Sequence, residues 1–229
     1  MSKRYVFFDL DNTLLSGDSD VLWCDFLISR RIIDAQIFGL RNSEMEERYK
    51  SGLVGLDEFA NFYVGTLADR TVEFWEPVRQ DFFSSIVQPR ICQEAQALVR
   101  GHRLEGDRLV MTTATNRFIT ELTARHFGIE DLIATEPQVA AGRFTGSTIG
   151  ILNMRKGKVE RLKHWLSLRN ETLESIDSTA YSDSINDLPL LEAVNCPVAV
   201  DPDPALRKIA DQRGWRVMKL SRDQGPLNL

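Results

Sequence analysis

The run Tyr5-Val6-Phe7-Phe8-Asp9-Leu10-Asp11-Asn12-Thr13-Leu14 is apolar until it meets two carboxylates two residues apart. Desolvating a carboxylate costs several kcal/mol unless a partner or a cation compensates it. An aromatic-rich strand that ends in such a pair therefore points to a site. The same pattern, an apolar run followed by acid, returns at Thr179-Ala180-Tyr181-Ser182-Asp183. Four polar clusters follow candidate strands or loops: Asp9/Asp11, Thr112/Thr113, Lys156, and Asp183/Asn186/Asp187. Asp9, Asp11 and Asp183 brought to one place need a counterion, and oxygen ligands favour a hard cation such as Mg²⁺. A lysine and a hydroxyl beside that cation suit a dianionic phosphoryl group, whose transfer depends on positioning and charge neutralisation. Taken singly, each residue has a plainer reading: a turn or cap aspartate, a strand threonine, a solvated lysine at a helix start. Only their joint order along the chain argues for chemistry. There is no GxxxxGK[ST] run, which argues against a P-loop nucleotide site.

The elements that must position these residues alternate. Residues 4–9 read as a strand, 90–101 as a helix and 108–113 as a strand. Asn116 caps a following helix that ends before Gly128. A short strand over 132–136, a hairpin over 139–151, a helix over 156–168 and a strand over 179–182 follow. A helix through Leu188–Val194 and a strand–helix–strand close the pattern. This βα rhythm predicts an α/β fold, a Rossmann-like, mostly parallel sheet with helices on both faces, whose ligands bind outside the C-terminal ends of the strands. Residues 20–88 differ. Their apolar positions recur at helical spacing with a break at Gly52–Gly55, and Pro77 lies near the start of a helix or kinks it. We expect an inserted helical cap over residues 16–85, joined by two crossings to a core of residues 1–15 and 86–229, with relative motion between them.

With 229 residues the chain can bury a substantial core. Lys+Arg of 28 against Asp+Glu of 33 gives a formal net charge of -5, without the positive footprint of most nucleic-acid binders. No run reaches the length of a membrane span. Asp9 and Asp11 interrupt the first apolar stretch too early for an export signal, so a cytoplasmic location is expected. Cys24, Cys92 and Cys196 are widely spaced and read as free, packed thiols. His102, His126 and His164 lack ligand spacing, and no site role is expected of them.

The ordered set DxDNTL, TATN, K and a late DxxND resembles the haloacid dehalogenase-like phosphohydrolase superfamily, over residues 4–15 and about 86–218. The insert lies where that superfamily places its helical type-1 cap, and the late spacing resembles the phosphoserine-phosphatase-like branch, including its histidinol-phosphatase-like members. The resemblance implies a Mg²⁺-dependent phosphatase with Asp9 as nucleophile, forming an aspartyl-phosphate, and Asp11 as general acid and then base. It implies Thr113, with Thr112 as the alternate, as the hydroxyl on the phosphoryl oxygen. Lys156, with Lys158 as the alternate, is implied as the charge-offsetting lysine. The implied metal set is Asp9, Asp11, Asp183 and Asp187, with Asn186 and Asp187 also orienting the lysine, waters or the ligand. The late motif reads Ser-Asp-Ser where the branch more often has Gly-Asp-Gly.

Substrate choice is expected in the cap. Asp18 stands where phosphoserine phosphatases carry a glutamate, and the cap arginine of that group has no counterpart near Phe62-Tyr63-Val64, so phosphoserine lacks its carboxylate clamp. Asp18 or Asp20 could instead hold a cationic amine, with Trp23, Tyr49, Tyr63 or Trp75 flanking a ring. That pattern is compatible with histidinol phosphate. A phosphoserine or phosphatidylglycerophosphate phosphatase, a phosphotransferase and a non-catalytic phosphate-binding protein are the alternatives. The expected partners are a small phosphorylated substrate, no nucleic acid and no integral membrane association, in a monomer or a homodimer.

Overall fold

The computed structural model describes residues 4–50, 53 and 55–220, the side chains of residues 46, 49 and 50 excepted. The chain runs β1 (Arg4–Phe8), α1 (Ser19–Ser29), α2 (Ala35–Lys50), α3 (Leu56–Val64), α4 (Val72–Phe82), α5 (Gln93–Leu104), β2 (Arg108–Asn116), α6 (Arg117–His126), β3 (Asp131–Ala140), β4 (Arg143–Ile149), α7 (Lys156–Ser167), β5 (Asp177–Ser182), α8 (Leu188–Ala193), β6 (Cys196–Val200), α9 (Pro204–Arg213) and β7 (Arg216–Met218). The strands form one sheet in the order β4-β3-β2-β1-β5-β6-β7, parallel throughout except for the β3–β4 hairpin. Strand β1 is central because Tyr5-Val6-Phe7-Phe8 is apolar on both faces, as a strand covered on both sides must be. Val6 and Phe8 join one apolar layer, and Tyr5 and Phe7 the other. Its parallel neighbours are β2 and β5, so the ends of β1, β2 and β5 meet at one edge.

The α/β rhythm read from the sequence is present, with shifts at element ends. Helix α5 begins at Gln93 because the Cys92 sulfur accepts the Ala95 N–H, and it runs past Gly101 to Leu104. The expected short strand and hairpin are one continuous strand, β3, turning into β4 through Ala141 and Gly142, whose φ of 49° and 74° are the two positive angles a tight hairpin turn requires. Pro77 lies in the interior of α4. The break at Gly52–Gly55 falls largely outside the described residues. Cys24, Cys92 and Cys196 are free, and Cys196 is exposed rather than packed. Among the described residues, no helix is long and apolar enough to cross a membrane.

The helices of the insert share the core of the sheet. Trp23, Phe26, Leu27, Trp75 and Phe82 belong to the same apolar cluster as Val6, Phe8 and Met111. The Trp23 ring lies 5.6 Å from Trp75 and 5.1 Å from Phe82, and its Nε1 donates to Thr66 Oγ1 at 3.1 Å. Beyond the two chain crossings, hairpin β3–β4 also holds the insert. Asp69 N–H donates to the Phe144 carbonyl and Phe144 N–H to the Arg70 carbonyl, both at 3.0 Å, while Thr148 N–H donates to Asn61 Oδ1 at 2.8 Å. Gly146, at φ 81°, permits this approach, since a Cβ there would come within 3.0 Å of Ala68 Cβ.

Trp23 therefore fills the junction instead of flanking a ligand. Trp23→Ala is expected to lower unfolding free energy by about 3–5 kcal/mol, the usual cost of an emptied aromatic site. Urea denaturation would measure it.

Candidate active site

The backbone after β1 makes a tight turn. Asp9 N–H donates to the Tyr181 carbonyl at 3.0 Å, which carries the β1–β5 ladder one residue past Phe8 and sets Asp9 beside the end of β5. The N–H groups of Leu14 and Leu15 both reach the Leu10 carbonyl at 2.9 Å. Asn12, at φ 54°, and Gly17, at φ 124°, let the chain reverse into α1. Asp18 caps that helix by accepting from the N–H groups of Asp20 and Val21.

Thr13 joins the two ends of the polypeptide. Its hydroxyl lies 3.0 Å from Asp9 Oδ2 and 3.2 Å from Asp183 Oδ1, and it accepts the Asp183 N–H at 3.0 Å. One hydroxyl proton serves one carboxylate at a time, so the two oxygens share it. Asp9 Oδ1 accepts from Lys158 Nζ at 2.8 Å, and the same ammonium donates to Asp187 Oδ2 at 2.6 Å. Ser182 also donates to Asp187 Oδ2, at 2.8 Å. Asp11 faces the insert. Its Oδ1 accepts from the backbone N–H of Ser19 at 2.8 Å and from the Ser19 hydroxyl. Its Oδ2 accepts from Thr115 at 2.7 Å and Thr113 at 3.4 Å.

Negative charge exceeds positive charge in this space. Burial pushes the Asp9 carboxyl up to about 7 against the pull of Lys158, with Asp187 and Asp11 repelling it further. Burial, then the charge of Asp18, raises Asp11 to about 6. Burial and the facing Asp9 raise Asp183 to about 8. Lys158 is held above its ordinary value, despite burial, by Asp187 and Asp9. A cavity of about 300 Å³ opens over these groups, lined also by Asp18, Asp20, Phe59, Tyr63, Thr115, Arg155 and Asn186. Arg155 donates from Nε to Asn186 Oδ1 at 3.2 Å.

Of the residues singled out in the sequence, the fold brings together Asp9, Asp11, Asp183 and Asp187, with Asp18, Asp20, Tyr63 and Asn186 around the same cavity. Two assignments change, those of Lys156 and Trp23. Lys156, the first residue of α7, is exposed, and the ammonium between Asp9 and Asp187 belongs to Lys158, two residues on and buried. A Cβ at Gly157 would collide with the Leu152 carbonyl, so the chain packs too closely there for any other residue. Asp187 accepts from Lys158 Nζ and from the Ser182 hydroxyl. Trp23 is in the core. Between the two threonines, Thr113 reaches Asp11, while Thr112 accepts from Asn153 Nδ2 at 3.0 Å. The Tyr49 side chain lies outside the described residues. Sequence reading missed Thr13, Ser19, Thr115 and Asn153. The polar triplet Asp11-Asn12-Thr13 held a signal for the first, and the others depend on packing.

His102, Glu105 and Asp107 form a second group, whose potential metal-ligating atoms lie within 4.8 Å of one another. They sit beside Arg4, which starts β1, at the opposite end of that strand from Asp9. The Arg4 guanidinium bonds Asp107 at 2.7 Å and also Glu105, and His102 bridges Asp107 and the Tyr181 hydroxyl. Arg4 offsets one of their two carboxylate charges, and Glu105 is exposed to solvent, unlike the carboxylates around Asp9.

Residues 6–192 match the haloacid dehalogenase-like hydrolase family. The chain is 38% identical over 218 residues to a histidinol-phosphatase of Neisseria meningitidis serogroup C, covering 94% of this chain and 98% of that protein. A crystal structure of a Bordetella pertussis protein of unknown function superposes with a TM-score of 0.91 at 41% identity, over 95% of this chain and 99% of that one. A phosphoserine phosphatase holding a phospho-aspartyl intermediate analogue superposes at 0.67 and 16% identity, over 97% and 96%, a likeness of fold.

Removing Lys158 strands two buried carboxylates. Lys158→Ala is expected to destabilise the protein by about 3–5 kcal/mol, the usual penalty for breaking a buried ion pair from one side. Lys156→Ala should stay within about 0.5 kcal/mol, as exposed substitutions do. Denaturant titration of both variants at neutral pH checks the pair.

Proposed function

The chain belongs to the haloacid dehalogenase-like hydrolases and has their catalytic architecture, and from that premise we propose a Mg²⁺-dependent phosphatase acting on a small phosphorylated alcohol, with histidinol phosphate as the preferred substrate. The observation that carries the reading is the meeting of Asp9, Asp183 and Lys158 in one buried space. In the reaction, an Asp9 oxygen attacks phosphorus, the ester P–O bond breaks, and Asp11 gives its proton to the leaving oxygen. Water then attacks the aspartyl-phosphate, Asp11 takes its proton, and phosphate leaves with the Asp9 carboxylate restored. Lys158 balances charge on nucleophile and phosphate, and the Thr113 hydroxyl, which reaches Asp11 Oδ2 at 3.4 Å, is the group to donate to a phosphoryl oxygen.

The donor set fits Mg²⁺. Asp9 and Asp183 offer hard oxygen ligands, held above their ordinary pKa by burial first and by neighbouring carboxylates second, and the Asp11 carbonyl would complete the protein's share. When bound, the ion supplies charge neutralisation for the phosphoryl group. We place it here and not at His102, Glu105 and Asp107, where the Arg4 guanidinium already bonds both carboxylates.

Residues 16–85 serve as the cap and residues 1–15 with 86–229 as the core. The cap side of the cavity, Asp18, Asp20, Phe59 and Tyr63, presents carboxylates and rings. These groups suit an amine or imidazolium on the leaving alcohol and disfavour a carboxylate. The relative named histidinol-phosphatase, matched over nearly its whole length, supports the same choice.

A panel of phosphate esters with Mg²⁺ tests this reading. Histidinol phosphate is expected to exceed phosphoserine in kcat/KM by ~10²-fold, the discrimination available from one or two charged contacts, and Asp9→Asn should abolish turnover of every ester. Equal rates for Asp9→Asn and the parent protein would overturn it.

The sign of the pH dependence follows from the raised carboxyls. A group whose folded value exceeds its ordinary 3.8 stabilises the fold below that value, and the contribution disappears as pH rises through 6 to 8. The metal-free cluster thus weakens the fold most at pH 8. Mg²⁺ binds the ionised carboxylates and should raise Tm more at pH 8 than at pH 5, read by differential scanning fluorimetry. An equal shift at both values would count against it.

A further inference from the structure

We infer that Thr115 is a positioning residue for Asp11, holding the acid/base carboxylate in the one orientation that both half-reactions need; the inference rests on the hydrolase reading above. Strand β2 leaves its parallel register with β3 between Thr113 and Asn116: Thr113 pairs with Ala134, and Asn116 with the very next residue, Thr135. Two extra residues, Ala114 and Thr115, are accommodated there. Such a bulge re-aims side chains, and bulges concentrate beside active sites. Here Ala114 and Thr115 both turn to line the cavity.

The buried Thr115 hydroxyl reaches Asp11 Oδ2 at 2.7 Å, with Asp20 Oδ2 more distant at 3.4 Å. Its single proton therefore serves Asp11. Among the described residues, the other hydroxyl on that oxygen is Thr113, at the weak distance of 3.4 Å. Thr113 is also the group expected to turn to the phosphoryl oxygen, which would leave Thr115 alone on Oδ2. The opposite oxygen is fixed by Ser19, the first residue of α1. Asp11 is thus clamped between the bulge of the core sheet and the first helix of the insert. Without Thr115 it pivots about the Ser19 contacts, and its distance to the ester oxygen and to the incoming water is no longer set. Misplacements on the scale of 1 Å are enough to cost ~10²-fold in rate.

The test compares Thr115→Val, which keeps the branched shape and removes the hydroxyl, with Thr115→Ser, which keeps the hydroxyl. A crystal structure of the valine variant reads Asp11 directly and needs no activity. The inference requires its carboxylate to leave the place it holds in the parent structure, and an unmoved carboxylate overturns it. Kinetically, with an alkyl phosphate ester that the parent protein hydrolyses, the valine variant should lose about 10–100-fold in kcat with KM within about threefold, and the serine variant should recover to within about threefold. With p-nitrophenyl phosphate, whose leaving group needs no proton, the valine variant should release a burst of about one nitrophenolate per active site before slow turnover. A general packing defect would instead depress both esters alike, give no burst and resist rescue by serine, and that pattern overturns the inference. An inactive parent protein would speak against the proposed function, while the position of Asp11 in the valine variant would still decide the role of Thr115.

Discussion

An ammonium wedged between two buried carboxylates organises this protein. Lys158 Nζ stands 2.8 Å from Asp9 and 2.6 Å from Asp187, and all three side chains are almost wholly removed from water. Breaking such a contact from one side is far more damaging than never having built it. The surrounding fold is arranged to keep it. Parallel pairing of β1 with β5 fixes Asp9 beside Asp183, the turn from Leu10 to Gly17 returns Thr13 between them, and the close contact at Gly157 sets the start of α7. One lysine does not balance Asp9, Asp11, Asp183 and Asp187. Burial first, and then neighbouring carboxylates, raise Asp9, Asp11 and Asp183, and a cation that relieved this charge would let a dianionic ester approach.

The insert contributes to this site in two ways. Its first helix begins at Ser19, whose N–H and hydroxyl both bond Asp11, so the acid/base residue is built from core and insert jointly. Its third helix supplies Phe59 and Tyr63 to the outer wall of the cavity. Trp23 and Phe26 of α1 and Trp75 and Phe82 of α4 point the other way, into the cluster that also contains Val6 and Phe8. With the hairpin β3–β4 bonded to residues 61 and 69–70, the insert is fastened along much of its length.

Much of this arrangement was legible in the sequence, and the reasons differ by residue. Asp9 and Asp11 stand out because two carboxylates at the end of a strand apolar on both faces are too costly to desolvate without a countercharge. Asp183 followed because the pattern repeats. The sheet could be read from the alternation of apolar runs. Lys156 was favoured over Lys158 because both lie in Arg155-Lys156-Gly157-Lys158, and linear spacing does not say how the loop before α7 turns. That turn is fixed by the lack of room at Gly157 and by Asn153, whose side-chain amide donates to Thr112 and to the Thr113 and Ile133 carbonyls. Both are tertiary facts. Trp23 was misplaced because periodicity identifies an apolar face without naming what covers it. Thr115 lies within the TATN run, but nothing in that run shows the bulge that turns it to the cavity.

The central claim is that a divalent cation completes the charge balance between Asp9 and Asp183. Anomalous diffraction from a crystal soaked in Mn²⁺ would test it most directly. The account requires one strong peak bridging the Asp9 and Asp183 carboxylates, lost in Asp183→Asn. A peak at His102, Glu105 and Asp107 with nothing beside Asp9 would contradict it.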